Sequence, residues 1–212
     1  MLKPGDLSLI LHQFNNILQP ICYRAEQLGD LRVDNPIVKD ISATLNERLA
    51  SFNRTIERLR ILAKPVVIQN GWVNLFALLK SVWSDISSEH DMQPIASRID
   101  ASALNGVARG DEFWLHLAFR EILTNAAEAA LRSTVPEIQI RIESVDAFWR
   151  VEISDSGTGI PQDALVAELF RSTKAQSGAG LGLPLALHIF QAHDARVSID
   201  GSGRIAISLR RT

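Results

Sequence analysis

The chain has 212 residues, and its 46% hydrophobic and 22% charged residues are typical of a globular protein that buries a core. Its 22 Lys and Arg nearly balance its 24 Asp and Glu, and the net charge of -2 excludes the overall basic field of a nucleic-acid-binding protein. A single cysteine excludes a disulfide framework within the chain, and no apolar run is long enough for a membrane span or a signal peptide. We therefore predict a cytoplasmic protein that itself binds neither nucleic acid nor membrane.

The first part of the chain, residues 1–65, has the pattern of a helical hairpin. Apolar residues recur at helical spacing over residues 7–28 and again over residues 41–63, where the second helix follows the cap and first-turn pair Asn35 and Pro36. Each helix has one apolar face, and a lone hairpin would leave much of that face exposed to water. We therefore predict a homodimer in which two hairpins form a four-helix bundle.

The second part, residues 66–212, has the mixed pattern of an α/β sandwich with an antiparallel-leaning sheet. In chain order the pattern predicts a helix over 75–89 capped by Asn74, a strand over 95–99, a long helix after Asp111, strands in "EIQIRIESV" and "FWRVEISD", a helix over 183–193, and strands in "ARVSID" and "RIAISLRR".

In the long helix, "REILTNAAEAA" places Glu121 and Asn125 four residues apart and therefore on one face. A carboxylate and an amide in this arrangement can hold a hydrated Mg²⁺, which prefers oxygen ligands and keeps several waters. On its own the pair is more often an ordinary solvated helix face. Its meaning depends on the motifs that follow.

The next motif, "ISDSGTGIP", ends a strand at Asp155 and continues with Gly157 and Gly159. Glycines at this point allow the backbone to approach a flat ligand, and a carboxylate at a strand end can accept a hydrogen bond from an exocyclic amine such as that of adenine. A tight turn would also explain the glycines, but it would leave their pairing with the next motif unexplained.

The third motif, "LFRSTKAQSGAGLGLPLA", places Gly178, Gly180 and Gly182 directly before a helix. Free N–H groups at a helix N-terminus favour an anion, and Lys174 adds a positive charge for a terminal phosphate. The run is not the dinucleotide-binding fingerprint, because it lacks that spacing and the βαβ unit.

Together the motifs resemble the GHKL family of ATPases, whose N, G1, F and G2 boxes correspond here to "EILTNAAEA", "DSGTGI", "LFRSTK" and "GAGLGL". The segment "HQFNNILQPI" is similar to the phosphoacceptor helix of sensor histidine kinases, particularly the group that reads His-Asp-Phe-Asn-Asn-Leu-Leu. The resemblance implies an α+β fold. It implies that residues 1–65 are an N-terminal antiparallel helical hairpin for dimerisation and phosphotransfer, which forms a dimeric four-helix bundle. It further implies that residues 66–212 are an α/β sandwich ATP-binding domain of the GHKL (Bergerat) type.

The same resemblance implies roles for individual residues in binding ATP and Mg²⁺. Asp155 would contact adenine, Asn125 would be a Mg²⁺ ligand, and Glu121 would orient Mg²⁺-bound water or assist proton movement at the metal. The other predicted nucleotide-site residues are Gly157, Gly159, Phe170, Thr173, Lys174, Gly178, Gly180, Leu181 and Gly182. One departure from the family pattern lies after the last helix, where His193, Asp194 and Ala195 replace His-Gly-Gly. Asp194 is expected to end that helix in place of glycine.

In the hairpin, the resemblance makes His12 the group that attacks the γ-phosphorus of ATP before the phosphoryl group passes to an aspartate of a response regulator receiver domain. Asn16 occupies the family's position for a water-orienting residue in dephosphorylation of the receiver, which adds an implied phosphatase activity. Family members carry Asp or Glu after the histidine, whereas this chain has Gln13. Gln13 can orient the imidazole but cannot take a proton. Loss of a general base typically costs about 10²- to 10⁴-fold, and we expect a smaller loss here, because imidazole with an ordinary pKa near ~6.5 is largely neutral at pH 7.

Two other functions remain open from the sequence. One is a histidine phosphotransferase or scaffold whose ATP-binding domain is vestigial, which Gln13 favours and the complete nucleotide motifs disfavour. The other is a serine kinase or a non-kinase ATPase, which leaves the hairpin unexplained. Eleven residues precede His12, too few for a sensor, so the chain is either an excised core or a stand-alone protein.

Overall fold

The computed structural model describes residues 14, 18–25, 27, 35–88, 95–101, 106–158, 180–200 and 203–211. Residues 18–25 are helical and precede the first complete element. The elements that follow, in chain order, are α1 (Pro36–Leu62), β1 (Gly71–Asn74), α2 (Leu75–Ser87), β2 (Ala96–Ala101), β3 (Val107–Gly110), α3 (Glu112–Ala130), β4 (Glu137–Val145), β5 (Phe148–Asp155), α4 (Gly182–Ala192), β6 (Arg196–Ile199) and β7 (Ile205–Arg210).

The two helical segments of the N-terminal part contact each other. Helix α1 begins as predicted, because the Asn35 side chain accepts a hydrogen bond from the Ile37 N–H at 2.9 Å and proline occupies the first turn. The rings of Phe14 and Phe52 lie 6.2 Å apart, and Asn53 Nδ2 donates to Cys22 Sγ at 3.7 Å. Large apolar side chains nevertheless remain exposed on this pair of helical segments, namely Phe14, Ile21, Tyr23, Ile37, Ile41 and Phe52.

The main sheet has five strands in the order β2-β4-β5-β7-β6, with β2 parallel to β4 and the other neighbours antiparallel. Alternate residues of the central strands are buried, for example Ile140 opposite Ile153 and Val151 opposite Ile207. This period of two is the pattern of a sheet with one face against a core. Helices α2, α3 and α4 lie in the same core, where the rings of Phe119 and Phe190 meet edge to face at 5.2 Å. The predicted α+β class is confirmed.

A second sheet was not predicted from the sequence. Strands β1 and β3 pair antiparallel, from Gly71 opposite Gly110 to Asn74 opposite Val107. Each strand has only four residues, which is too short to show a period. Strand β3 ends directly before Asp111, the N-cap of α3. The Asp111 carboxylate accepts hydrogen bonds from the backbone N–H groups of Trp114 and Gln69.

The end of α4 confirms the expected role of Asp194. This residue has φ 52°, in the left-handed region, and its N–H donates to the Gln191 carbonyl while the Ala195 N–H donates to the Phe190 carbonyl. These two bonds form a Schellman motif, in which glycine is the usual residue at the left-handed position. No helix within the described ranges is both long and apolar enough to cross a membrane.

His193 connects the end of α4 to the beginning of α3. Its ring is buried, its Nε2 accepts from the Asp111 backbone N–H at 3.1 Å, and its Nδ1 lies 2.8 Å from the Ile189 carbonyl oxygen. Because Nε2 is the acceptor, Nδ1 is the nitrogen that donates to Ile189. The ring therefore links the C-terminus of one helix to the N-terminus of the other.

Candidate functional site

Helix α3 presents Glu121 and Asn125 beside the start of α4. Glu121 is 7% exposed, whereas Asn125 is exposed to solvent. A Cβ atom placed on Gly182 would lie 2.7 Å from Glu121 Oε2 and 3.4 Å from Asn125 Nδ2. The predicted helix pair and the last glycine of the glycine-rich run therefore lie in contact, and Gly182 has no room for a side chain.

The loop after β5 approaches the same helix one turn further along. Asp155 is the last residue of β5, and its Oδ1 accepts a hydrogen bond from the Gly157 N–H at 2.8 Å. A Cβ on Gly157 would lie 2.8 Å from both the Cβ and the carbonyl oxygen of Ala129. Burial raises the pKa of the Asp155 carboxyl, and the Gly157 hydrogen bond opposes that shift. A half-buried carboxylate thus faces a glycine backbone that lies directly on α3.

The start of α4 has the features of an anion-binding helix terminus. Gly180 has φ 65°, which a residue with a side chain rarely adopts, and Leu181 is a buried N-cap whose side chain makes no capping hydrogen bond. No side chain at the N-cap position therefore occupies the first-turn N–H groups of α4.

The structure thus brings together Glu121, Asn125, Asp155, Gly157 and the residues at the start of α4. The other predicted site residues lie outside the described residues, namely His12, Gln13, Asn16, Gly159, Phe170, Thr173, Lys174 and Gly178.

Arg58, a residue of α1 that was not predicted from the sequence, reaches into the site. Its Nε donates to Glu121 Oε1 at 2.9 Å and its Nη2 donates to Glu121 Oε2 at 2.8 Å. The two residues are 63 positions apart, so no local pattern predicts the contact. A cleft of about 630 Å³ between α1 and α3 surrounds this pair, and its lining includes Arg54, Leu117, Thr124, Glu128 and Leu185.

The donor set is compatible with Mg²⁺ bound together with a nucleotide. Among the residues that the structure describes, no three His, Cys, Asp or Glu side chains form a metal site. Mg²⁺ commonly takes one or two protein oxygens and completes its shell with phosphate oxygens and water. The exposed Asn125 amide suits that role, whereas both oxygens of Glu121 are bonded to Arg58.

Comparison with known proteins gives a family match for residues 110–211 and relatives that cover most of the chain. Residues 110–211 match the family described as "Histidine kinase-, DNA gyrase B-, and HSP90-like ATPase". The chain is 27% identical over 194 residues to Sporulation kinase C of Bacillus subtilis (strain 168), covering 90% of this chain and 44% of that protein. It is 24% identical over 196 residues to Sensor protein QseC of Salmonella typhi, covering 88% of this chain and 42% of that protein.

Solved structures match the fold over nearly the whole chain. The chain matches full-length ShkA in complex with AMPPNP with a TM-score of 0.79 and 19% identity, over 98% of this chain and 46% of that chain. It matches the Acinetobacter baumannii histidine kinase AdeS with a TM-score of 0.66 and 16% identity, over 94% and 97% of the two chains. These structural likenesses concern the fold alone. Together with the family match and the curated relatives, they confirm the predicted resemblance to a sensor histidine kinase core. The chain spans less than half the length of both curated relatives.

Proposed function

Because residues 110–211 match the histidine kinase-, DNA gyrase B-, and HSP90-like ATPase family, we propose that the chain is the core of an ATP-dependent protein histidine kinase. In this proposal residues 1–65 carry the phosphoacceptor His12 and residues 66–212 bind ATP. The observation that supports it best is the contact of the pair Glu121 and Asn125 with Gly182, one turn from the Asp155 loop.

Each part of the described site has a distinct task in binding ATP. Asp155 accepts a hydrogen bond from the exocyclic amine of adenine, and Gly157 allows the base to approach the backbone. The N–H groups at the start of α4 bind phosphate oxygens, together with Lys174 at the terminal phosphate. Asn125 holds Mg²⁺, which when bound neutralises charge on the phosphate oxygens.

Phosphoryl transfer then requires an aligned nucleophile and little further covalent chemistry from the protein. A ring nitrogen of His12 attacks the γ-phosphorus, an N–P bond forms, and the bond from the γ-phosphorus to the β-phosphate oxygen breaks to release ADP. Glu121 orients water or accepts a proton near the reacting phosphate. Gln13 holds the imidazole but cannot take its proton, so we expect a slower reaction than with an acid at that position.

The hairpin also supplies the proposed partners. Its exposed apolar side chains, which include Ile37 and Ile41, would be buried between two copies in a four-helix bundle. The surface around His12 would bind a response regulator receiver domain, whose aspartate takes the phosphoryl group. In a separate phosphatase reaction, Asn16 would position the water that hydrolyses the aspartyl phosphate and releases inorganic phosphate. The proposed partners are therefore a second copy of this chain and a response regulator receiver domain.

The proposal is tested by incubating the protein with γ-labelled ATP and Mg²⁺. We expect acid-labile label in the wild type and none in His12→Ala. His116→Ala is a matched control, because His116 lies on α3 with its Nε2 3.2 Å from Asp85 Oδ2 and is not part of the proposed site. Gln13→Glu is expected to raise the rate of labelling, and an unchanged rate would assign Gln13 no role.

Other outcomes contradict the proposal in different ways. Tight ATP binding without label on His12 would indicate a non-kinase ATPase. No nucleotide binding, combined with transfer of phosphate to His12 from a phosphorylated receiver domain, would indicate a phosphotransferase with a vestigial ATP-binding domain. Label that survives His12→Ala would place the acceptor elsewhere.

A further inference from the structure

The contact between Arg58 and Glu121 joins the two functional parts of the chain. Both oxygens of Glu121 accept from the guanidinium, in the planar two-bond geometry that arginine makes with carboxylates. The side chain of Arg58 is 24% exposed and that of Glu121 is 9% exposed, so the ion pair is largely shielded from water. Shielded charge pairs are screened far less by salt than surface pairs are.

The neighbourhood of Arg58 shows that α1 is docked on the ATP-binding domain. Ile61 and Leu62 lie three and four positions after Arg58, on the same helix face, and both pack against the core of that domain. Just beyond α1, His188 Nε2 lies 3.0 Å from the Lys64 carbonyl oxygen. The ion pair is therefore the polar part of a contact between domains that also has an apolar part.

We propose that the Arg58–Glu121 ion pair is an autoinhibitory latch, which holds the ATP-binding domain against α1 in a state that cannot transfer phosphate. The proposal rests on the kinase function proposed above. In the docked state the guanidinium occupies both oxygens of the carboxylate that would otherwise act beside the reacting phosphate. Activation then requires α1 and α3 to separate, which releases Glu121.

The packing around Glu121 explains why the docked state and the active state exclude each other. The carboxylate is buried, and the position beside its Oε2 is filled by the backbone of Gly182. Glu121 therefore has no space to turn toward the nucleotide while it keeps both bonds to Arg58. A charge-assisted pair of this kind shifts a two-state equilibrium by about tenfold or more, which is enough to set the population of an active minor state.

The test uses the full chain and compares Arg58→Ala and Arg58→Lys with wild type. Arg60→Ala is the matched control, because Arg60 lies two positions further on the same helix and pairs with Glu57 of that helix at 2.8 Å. Spin labels report the distance between α1 and α2. They are attached to cysteines introduced by Glu47→Cys and Lys80→Cys, two exposed positions, in a Cys22→Ser background, and the labelled protein is diluted with unlabelled chain. Autophosphorylation of His12 is measured on the same variants.

We expect Arg58→Ala to lengthen the distance between labels and to raise the initial rate of His12 phosphorylation about tenfold, since an undocked minor state of 10% or less becomes the main one. Arg58→Lys should have a smaller effect because lysine cannot make the two-bond contact. Arg60→Ala should match wild type in both measurements.

Each alternative result has a distinct meaning. An unchanged distance in Arg58→Ala overturns the latch, and a longer distance with a slower reaction overturns its inhibitory role, since the docked state would then be the productive one. Absence of label from every variant overturns the kinase function instead. The distance measurement would still decide whether Arg58 holds the two domains together.

Discussion

Replacement of Gly182 by alanine tests the packing on which the site depends. The new Cβ would lie 2.7 Å from Glu121 Oε2, a separation below 3.0 Å that real Cβ atoms essentially never show. In an ordinary helix the change from glycine to alanine stabilises by about 0.5–1 kcal/mol. Here overpacking should dominate, and we expect Gly182→Ala to lower the free energy of unfolding by about 1–3 kcal/mol.

The size of this loss should depend on Arg58. The clashing atom is the end of a side chain, which could move away cheaply if nothing held it. Arg58 holds it through two hydrogen bonds of 2.8 and 2.9 Å. In the Arg58→Ala background the carboxylate can move, so Gly182→Ala should cost less there, with a coupling free energy of about 1 kcal/mol.

Wild type, Gly182→Ala, Arg58→Ala and the double variant form a double-mutant cycle. The free energy of unfolding of each is measured by urea unfolding followed by tryptophan fluorescence. The four tryptophans lie between residues 72 and 149, so the signal reports on the ATP-binding domain, and urea adds no salt to screen the ion pair. Gly71→Ala is the control, because its Cβ would have only one close neighbour, the Gly110 carbonyl oxygen at 3.6 Å. Equal losses from Gly182→Ala in the wild-type and Arg58→Ala backgrounds would refute the reasoning.

Three further substitutions have defined outcomes. Asp155→Asn should weaken ATP binding about 10- to 100-fold by calorimetry, through loss of a charged acceptor. Burial raises the pKa of Asp155 above 3.8, so wild type should lose stability relative to this variant as the pH rises from 3.8 through the folded-state pKa. The free energies of unfolding of both proteins are measured in urea across this pH range, and a constant difference between them would contradict the prediction. Gly157→Ala should destabilise by about 1–3 kcal/mol, since its Cβ would meet Ala129 at 2.8 Å, and an unchanged urea midpoint would contradict that packing. Asp194→Gly should stabilise by about 1 kcal/mol in the same assay by relieving the positive φ of 52°, and a loss of stability would contradict the predicted strain.

The elements that the sequence predicts well are those with strong local signals. Strands β4 and β5 occupy the predicted runs because apolar residues alternate at positions 138, 140 and 142 and at positions 149, 151 and 153. Helix α2 begins at its predicted cap, Asn74, and α3 begins after Asp111 as predicted. Both side chains accept hydrogen bonds from backbone N–H groups. Pairing of the short strands β1 and β3 depends instead on contacts between distant parts of the chain.

The site likewise has features that the local sequence predicts and features that depend on contacts between distant residues. The spacing of Glu121 and Asn125 is a property of one helix and is readable from their separation of four positions in the sequence. The close approach of Gly157 to Ala129, and of Gly182 to Glu121, is set by how a loop and a second helix pack on α3. The pairing of Arg58 with Glu121 depends on how α1 packs on α3, which hydrophobic periodicity does not encode.

The ring of His193 has a consequence at the opposite end of its helix. By joining the end of α4 to the Asp111 N–H at the start of α3, it sets how far the two helices are shifted along each other. Helix α4 has 11 residues, so its first residue, Gly182, lies about 16 Å away, next to Glu121 and Asn125. The side chain of His193, which touches neither group, thus fixes the spacing between the proposed phosphate-binding backbone and the proposed metal-binding amide.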